Sequence, residues 1–356
     1  MELVNLGWPR SLDEYLELHP LLVDWQVGRI ITEHKERYLV RTTSEVVEAV
    51  ITGQLHYNAK SREDFPAVGD WVALSIHDQL GIIHQVLPRH SLLKRQAAGH
   101  YGEAQVIAAN IDFAFIVQAA GHDYNLNRLE RYLTICYNAK IQPLIIFTKI
   151  DLLSAAELNT QVEQIKHRLK DVPIFPLSNF TKEGVEKLQQ HIQAGKTYCF
   201  IGSSGVGKSS LINNLAGTEL MSTAEVSTST AKGKHQTTHR ELILLNEGGI
   251  LIDNPGMREV GLTESAEGLE KTFDVITHLA EACKYQNCTH VLEAGCAVME
   301  AIEAGQLEQA VYENYLKLYR EQAYFETTTQ QRRQKERMFG KLMKNYKKDK
   351  RNLNKP

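Results

Sequence analysis

The chain has 356 residues, 43% hydrophobic and 23% charged, with a formal net charge of −3. That length allows two or three domains, and the composition excludes wholesale disorder, a collagen-like repeat and a coiled-coil rod. The net charge hides an asymmetry: residues 321–356 carry eleven Lys/Arg against four acidic residues, a net +7, so the first 320 residues sum to −10. A basic tail on an acidic body points to a polyanionic partner or to a solvated terminal helix. Met1–Pro20 has no basic start followed by an apolar run, and no stretch approaches the roughly 20 apolar residues of a membrane span. Five cysteines, three of them within fourteen positions, fit a reducing compartment and a metal site, not a disulfide framework. The expectation is a soluble cytoplasmic protein with no membrane contact.

In chain order, residues 1–105 read as β-rich. Short alternating segments such as Gln26–Thr32, Tyr38–Thr43, Val46–Thr52 and Trp71–Ile76, separated by turn residues, predict a small barrel. Periodicity leaves an OB-fold and an SH3-like barrel equally open. From residue 106 the apolar runs Phe113–Val117, Leu144–Phe147, Val172–Leu177 and Tyr198–Ile201 alternate with helical patterns at Leu126–Asn138, Ala155–Leu169 and Val185–Gln193. Such runs read as buried parallel strands of an α/β sheet. Glu241–Leu245 and Gly249–Ile252 predict a hairpin, Met221–Thr238 a loop, and the chain beyond about residue 270 a set of helices. The boundaries expected are 1–105, 106–268 and 269–356.

Gly202-Ser203-Ser204-Gly205-Val206-Gly207-Lys208-Ser209 fits the P-loop pattern, with a strand before it and an amphipathic helix after it. Its glycines let backbone N–H groups curl around phosphate oxygens at a helix N-terminus. Lys208 would reach the β- and γ-phosphates, Ser209 would ligate Mg²⁺, and Ser210 completes the nucleotide-binding run. Thr148-Lys149-Ile150-Asp151, at the end of a predicted strand, has the form N/T-K-x-D that reads guanine. A carboxylate at Asp151 accepts from the guanine ring N–H and exocyclic amine, and adenine leaves it unpaired. Ser178 ends another strand, where it supports the guanine ring or simply closes a turn.

Asp253-Asn254-Pro255-Gly256 fits D-x-x-G, with Asp253 holding Mg²⁺ through water and the Gly256 N–H sensing the γ-phosphate. Thr237 and Thr238 are candidates for the switch threonine that closes over Mg²⁺ and phosphate. Lys208 and Thr238 are assigned to catalysis and Thr237 to nucleotide binding. Position 257 is Met where Ras-like enzymes place a water-orienting Gln, so slow intrinsic turnover is expected. The motif order is unusual: the base-reading segments precede the P-loop, which makes the domain a circularly permuted GTPase. Cys283-x₄-Cys288-x-His290-x₅-Cys296 supplies a closed Cys₃His set, the composition of one structural zinc site.

These residues resemble the ribosome small-subunit-dependent GTPase A family (RsgA, also YjeQ or YloQ) from about Trp25 to Met299. The resemblance includes Pro66-Ala67-Val68-Gly69-Asp70, Ala109-Asn110-Ile111-Asp112 and Gly295-Cys296-Ala297-Val298. It implies a multidomain protein: an N-terminal OB-like β-barrel, a permuted α/β P-loop GTPase domain and a C-terminal zinc-binding helical domain. It also implies GTP and GDP as ligands, the small (30S) ribosomal subunit and its rRNA as partners, and action late in subunit assembly with hydrolysis stimulated by the subunit. His235 is the residue it points to for orienting water. A monomer is expected. Two departures stand out: Thr at 148 where the family often has Asn, and Gly233-Lys234-His235-Gln236-Thr237-Thr238 where its switch usually reads G-x-H-T-T-T. The rival reading is a non-enzymatic, zinc-dependent RNA-binding module with a vestigial P-loop. Intact Lys208, Ser209, Asp253 and Asp151 weigh against it.

Overall fold

The computed structural model describes residues 2–22, 25–34, 36–96, 104–219, 241–253, 266–291 and 293–326. Thr237, Thr238, His235, Gly256 and the basic stretch 332–356 lie outside the described residues.

Five strands, Gln26–His34 (β1), Arg37–Arg41 (β2), Val46–Ile51 (β3), Trp71–His77 (β4) and Leu80–Val86 (β5), close into a barrel. Their order is β1-β2-β3-β5-β4, with β4 returning to β1 and only β3–β5 parallel. That connectivity is the OB-type barrel, which alternation alone left undecided. Period-2 alternation drives it: Tyr38 and Val40 on β2 point inward while Leu39 between them is exposed. Tyr38, Val40, Val47, Ala49, Val72, Leu74 and Ile83 form the interior with Ile30. Outside, Leu6 and Leu12 of the N-terminal segment, with Ser11–Leu18 as α1, pack on Trp71, Ala73 and Leu87. A short helix, Gly53–Asn58 (α2), follows β3, capped by Thr52 Oγ1 accepting from Leu55 N–H at 3.1 Å.

A two-stranded antiparallel unit follows, Leu92–Gln96 (β6) and Ala104–Ala109 (β7), which runs across position 105. The α/β part of the sheet then begins. Phe113–Ala119 (β8), Gln142–Thr148 (β9), Ile174–Pro176 (β10) and Thr197–Ile201 (β11) are parallel, and the hairpin Glu241–Leu244 (β12) and Ile250–Asp253 (β13) is added through β11. The order is β10-β9-β8-β11-β13-β12. The chain leaves β8 for β9 on one side and returns as β11 on the other, so β8/β11 is the topological switch point where ligands of open α/β sheets bind. Helices Leu126–Asn138 (α3), Ala155–Arg168 (α4), Val185–His191 (α5) and Lys208–Ala216 (α6) surround the sheet. A single bridge, Thr32 to Glu241, links β1 to β12 and so joins the barrel to the sheet edge.

Beyond the sheet come Glu267–Thr272 (α7), Asp274–Glu281 (α8), Ala297–Glu303 (α9) and Gln309–Glu326 (α10). Their apolar residues Leu269, Phe273, Ile276, Val298, Ala301 and Leu318 share one core with α3 and the adjacent face of the sheet. Cys136 and Cys199 are fully buried, and burial pushes the Cys199 thiol up to about 12, so both are packing residues here. Among the described residues, no helix is long and apolar enough to cross a membrane.

Candidate nucleotide and metal sites

The carboxyl ends of β8, β9, β10, β11 and β13 lie along one edge of the sheet, and the nucleotide motifs sit there. β11 ends at Ile201, the phosphate loop runs over residues 202–207, and α6 starts at Lys208. Gly202 crosses against β8 so closely that a Cβ would lie 2.4 Å from the Val117 carbonyl oxygen. Gly207 has φ +96°, and a Cβ there would meet the Asn179 amide at 2.7 Å. Both positions therefore need glycine. Lys208 Nζ donates to the carbonyls of Gly202 at 2.8 Å and Ser203 at 2.5 Å, so the cation spans the mouth of its own loop. Ser204 and Gly205 at the tip are exposed, as is Ser209; Val206 is buried, and Ser203, Gly207 and Ser210 are half-buried.

Thr148, at the end of β9, is fully buried. Its hydroxyl lies 2.6 Å from the Val206 carbonyl and 3.4 Å from that of Gln118. The residue thus fastens the base-reading loop to the phosphate loop, so the Thr-for-Asn departure keeps a donor in place. Lys149 follows in a left-handed conformation, φ 59°, and Ile150 is buried, which turns Asp151 out onto the exposed rim. Ser178 is fully buried, and its Oγ accepts the N–H groups of Phe180 at 3.2 Å and Thr181 at 3.1 Å. Its hydroxyl organises the loop.

Three further residues bear on the site. Asn179 Nδ2 donates to the Gly207 carbonyl at 3.0 Å, and Asn214 on α6 donates to the Asn179 carbonyl at 3.2 Å and Oδ1 at 3.1 Å. Ser203 Oγ accepts from Arg128 of α3 at 2.9 Å. The three donors, Asn179, Asn214 and Arg128, belong to none of the nucleotide motifs, and no local pattern in the sequence marks them. Asp253 ends β13, one residue beyond the pair Cys199–Ile252, and so stands level with the strand that leads into the phosphate loop.

The four predicted metal ligands do converge. Sγ of Cys283, Cys288 and Cys296 and a ring nitrogen of His290 all lie within 4.8 Å of one another. Cys283 Sγ and Cys296 Sγ are 3.9 Å apart, and each is 3.5 Å from His290 Nδ1. A tetrahedral ion with metal–sulfur bonds of about 2.3 Å has ligand–ligand edges of about 3.8 Å, so the set fits one small cation. Burial lowers the His290 pKa, which keeps the ring neutral with a lone pair to give. The His290 carbonyl accepts from Tyr312 Oη of α10 at 2.6 Å, tying the cluster to that helix.

The family model for RsgA GTPase matches residues 86–263. The "Small ribosomal subunit biogenesis GTPase RsgA 1" of Bacteroides thetaiotaomicron is 39% identical over 349 residues, 98% of this chain and 97% of the relative. The chain belongs to the RsgA GTPase family. A second RsgA 1, from Oceanobacillus iheyensis, is 42% identical over 303 residues, covering 84% of this chain and 86% of the relative. Among solved structures, YjeQ from Thermotoga maritima matches with a TM-score of 0.63 at 24% identity, over 84% of this chain and 98% of that one. YloQ, described as a circularly permuted GTPase, matches with a TM-score of 0.61 at 25% identity, over 84% and 95%. The motif order of this chain, base-side segments before the phosphate loop, agrees with the permutation in the description of YloQ.

Proposed function

We propose that this RsgA-family GTPase hydrolyses GTP to GDP and phosphate while bound to the small (30S) ribosomal subunit, late in the subunit's assembly, and that the subunit stimulates the reaction. The observation that carries the nucleotide reading is the anchoring of both base-side loops on consecutive carbonyls of the phosphate loop, Thr148 on Val206 and Asn179 on Gly207. Base recognition and phosphate binding are thereby held in one rigid frame, which is what discrimination between nucleotides at a fixed distance from the phosphates requires. The subunit reading rests on the names of relatives that cover nearly the whole chain.

In this reading Asp151 pairs the guanine edge, with Lys149, Ile150 and the Ser178 loop beside it. Residues 202–210 cradle the phosphates, Lys208 neutralises them, and Ser209 with Asp253 holds Mg²⁺. Thr237, Thr238, His235 and Gly256 close the site from the switch segments, His235 orienting the attacking water. Zinc is the ion assigned to Cys283, Cys288, His290 and Cys296, where it cross-links α8 to α9 as a structural site. We further assign three units, 1–105, 106–268 and 269–356, with the β6–β7 pair and α7 at the joints, acting as a cytoplasmic monomer.

The test is GTP hydrolysis by the full chain with and without purified small subunits, with ATP as control. The expected result is slow turnover of GTP alone, stimulation by subunits, no turnover of ATP, and no activity in Lys208→Ala. Equal use of ATP, or Lys208→Ala as active as wild type, would overturn it.

A further inference from the structure

Besides the two base-side anchors, the phosphate loop has a tether that no nucleotide motif accounts for. Arg128 lies in the first turn of α3, where the Asn125 side chain caps the helix by accepting the Arg128 N–H at 3.0 Å. Its Nη1 donates at 2.9 Å to Asp123 Oδ1 and at 2.9 Å to Ser203 Oγ, on the second residue of the loop. Asp123 is seated in turn by Gln118 of β8, whose Nε2 donates to the Asp123 carbonyl at 2.5 Å. A guanidinium keeps its charge at any physiological pH, and its planar fork loses little freedom per bond once held. A cation is therefore stationed at the shoulder of the phosphate cradle, with 29% of its side chain exposed.

The same helix grips the C-terminal segment. Two and three residues further on, Glu130 and Arg131 face α10. Glu130 accepts from Arg168 Nε at 2.6 Å and Nη2 at 2.9 Å, and from Asn314 Nδ2 of α10 at 2.5 Å, with 2% of its side chain exposed. Burial pushes the Glu130 carboxyl above its usual range, and Arg168 and Asn314 pull the other way. Arg131 makes a two-pronged pair with Glu321 of α10 at 2.7 and 2.6 Å. Farther along, Asn138 Oδ1 accepts the Gly268 N–H at 2.7 Å and Thr134 bonds Thr272, both on α7. One helix thus carries the loop tether at its first turn and the seats of α10 and α7 along its length.

We propose that Arg128 is a positioning residue for the phosphate loop, acting through the Ser203 hydroxyl, and that α3 transmits the seating of α10 to that loop. The proposal rests on the reading that the loop holds GTP phosphates. The physical basis is preorganisation. The tip residues Ser204 and Gly205 are exposed, and a loop that must be ordered on binding takes its entropy cost out of nucleotide affinity. A bond from a cation already fixed by Asp123 orders the loop beforehand.

Affinity for Mg²⁺ with fluorescent GTP and GDP analogues, read together with KM and kcat, tests this in the full chain. Arg128→Ala is expected to weaken binding of both analogues about tenfold, the size of a hydrogen bond to a charged group, with kcat at saturation and the melting temperature little changed. Ser203→Ala, a change in the phosphate loop itself, should weaken binding at least as much, and adding Arg128→Ala to it should cost nothing further, because both delete one bond. Arg128→Lys, which keeps the charge on a side chain one bond shorter and without the fork, should recover part of the affinity. Glu321→Gln should weaken binding in the wild-type background and leave Arg128→Ala unaffected. Wild-type affinity in Arg128→Ala, or additive losses with Ser203→Ala, would overturn the positioning role. A Glu321→Gln effect that persists in Arg128→Ala would overturn the transmission. Lys208→Ala separates the premises: normal binding there defeats the nucleotide reading itself, whereas loss there with none at Arg128→Ala defeats only this inference.

Discussion

At Thr148 a single hydroxyl ties two loops together, 2.6 Å from the carbonyl of Val206 in a fully buried position. Thr148→Val keeps the shape and removes the donor. It should cost about 1–2 kcal/mol in stability, the net worth of a buried hydrogen bond, and loosen the base loop relative to the phosphates. Thermal melting and nucleotide affinity should fall together; an affinity unchanged from wild type would show that the anchor plays no part in binding. Asp151 works differently, since it is exposed on the rim and its role is chemical complementarity. Asp151→Asn exchanges an acceptor for a donor, so GTP should bind more weakly and the xanthine nucleotide more tightly. A competition assay in which the GTP preference stays put would remove Asp151 from base recognition.

At the scale of elements, α8 and α9 are short, eight and seven residues, and helices of that length are marginal without tertiary support. The cysteine cluster lies between them, with Cys296 at the N-cap of α9 and Cys283 just past the end of α8. A metal there acts as a cross-link whose binding energy becomes folding energy for the pair. Metal analysis of the purified chain should find one zinc. Cys288→Ser should lose it and melt the C-terminal helices at lower temperature, and full zinc with normal melting would place the metal elsewhere. Cys296 sits in the core shared with α3 while Cys283 and Cys288 pack partly buried against it, which the spacing does not reveal, since it specifies a chelate but not its surroundings.

At the scale of the whole molecule, Arg29 on β1 joins barrel to GTPase sheet. It is fully buried, and donates to the carbonyls of Leu6 at 2.5 Å, Gly69 at 3.1 Å and Asn110 at 3.1 Å, and to Thr197 Oγ1, at the start of β11, at 2.9 Å. Burial lowers its pKa to about 10, with Asp112 and Asp70 opposing, so it stays charged at neutral pH. Arg29→Met fills the space and strands these acceptors, at a cost of about 3 kcal/mol or more. Urea unfolding followed by barrel and sheet probes should then separate into two transitions where wild type shows one. A single transition at the wild-type midpoint would mean that the barrel docks by other contacts.

What the sequence determined by itself is local. The alternation of Tyr38, Leu39 and Val40, the apolar runs that became β8, β9 and β11, the glycines of the phosphate loop and the Cys₃His spacing each express a constraint within a few residues. Motif order along the chain was enough to read the permutation. The β6–β7 pair, too short and mixed for either period, was not foreseen. The tertiary structure alone decided how these pieces are held: Asn179 to Gly207 across 28 positions, Thr148 to Val206 across 58, Arg128 to Ser203 across 75, Arg29 to Thr197 across 168 and Arg131 to Glu321 across 190. Most of those contacts end on a backbone carbonyl or a plain hydroxyl. Such acceptors occur throughout any chain, so no pattern marks the ones that folding will bring to a distant donor.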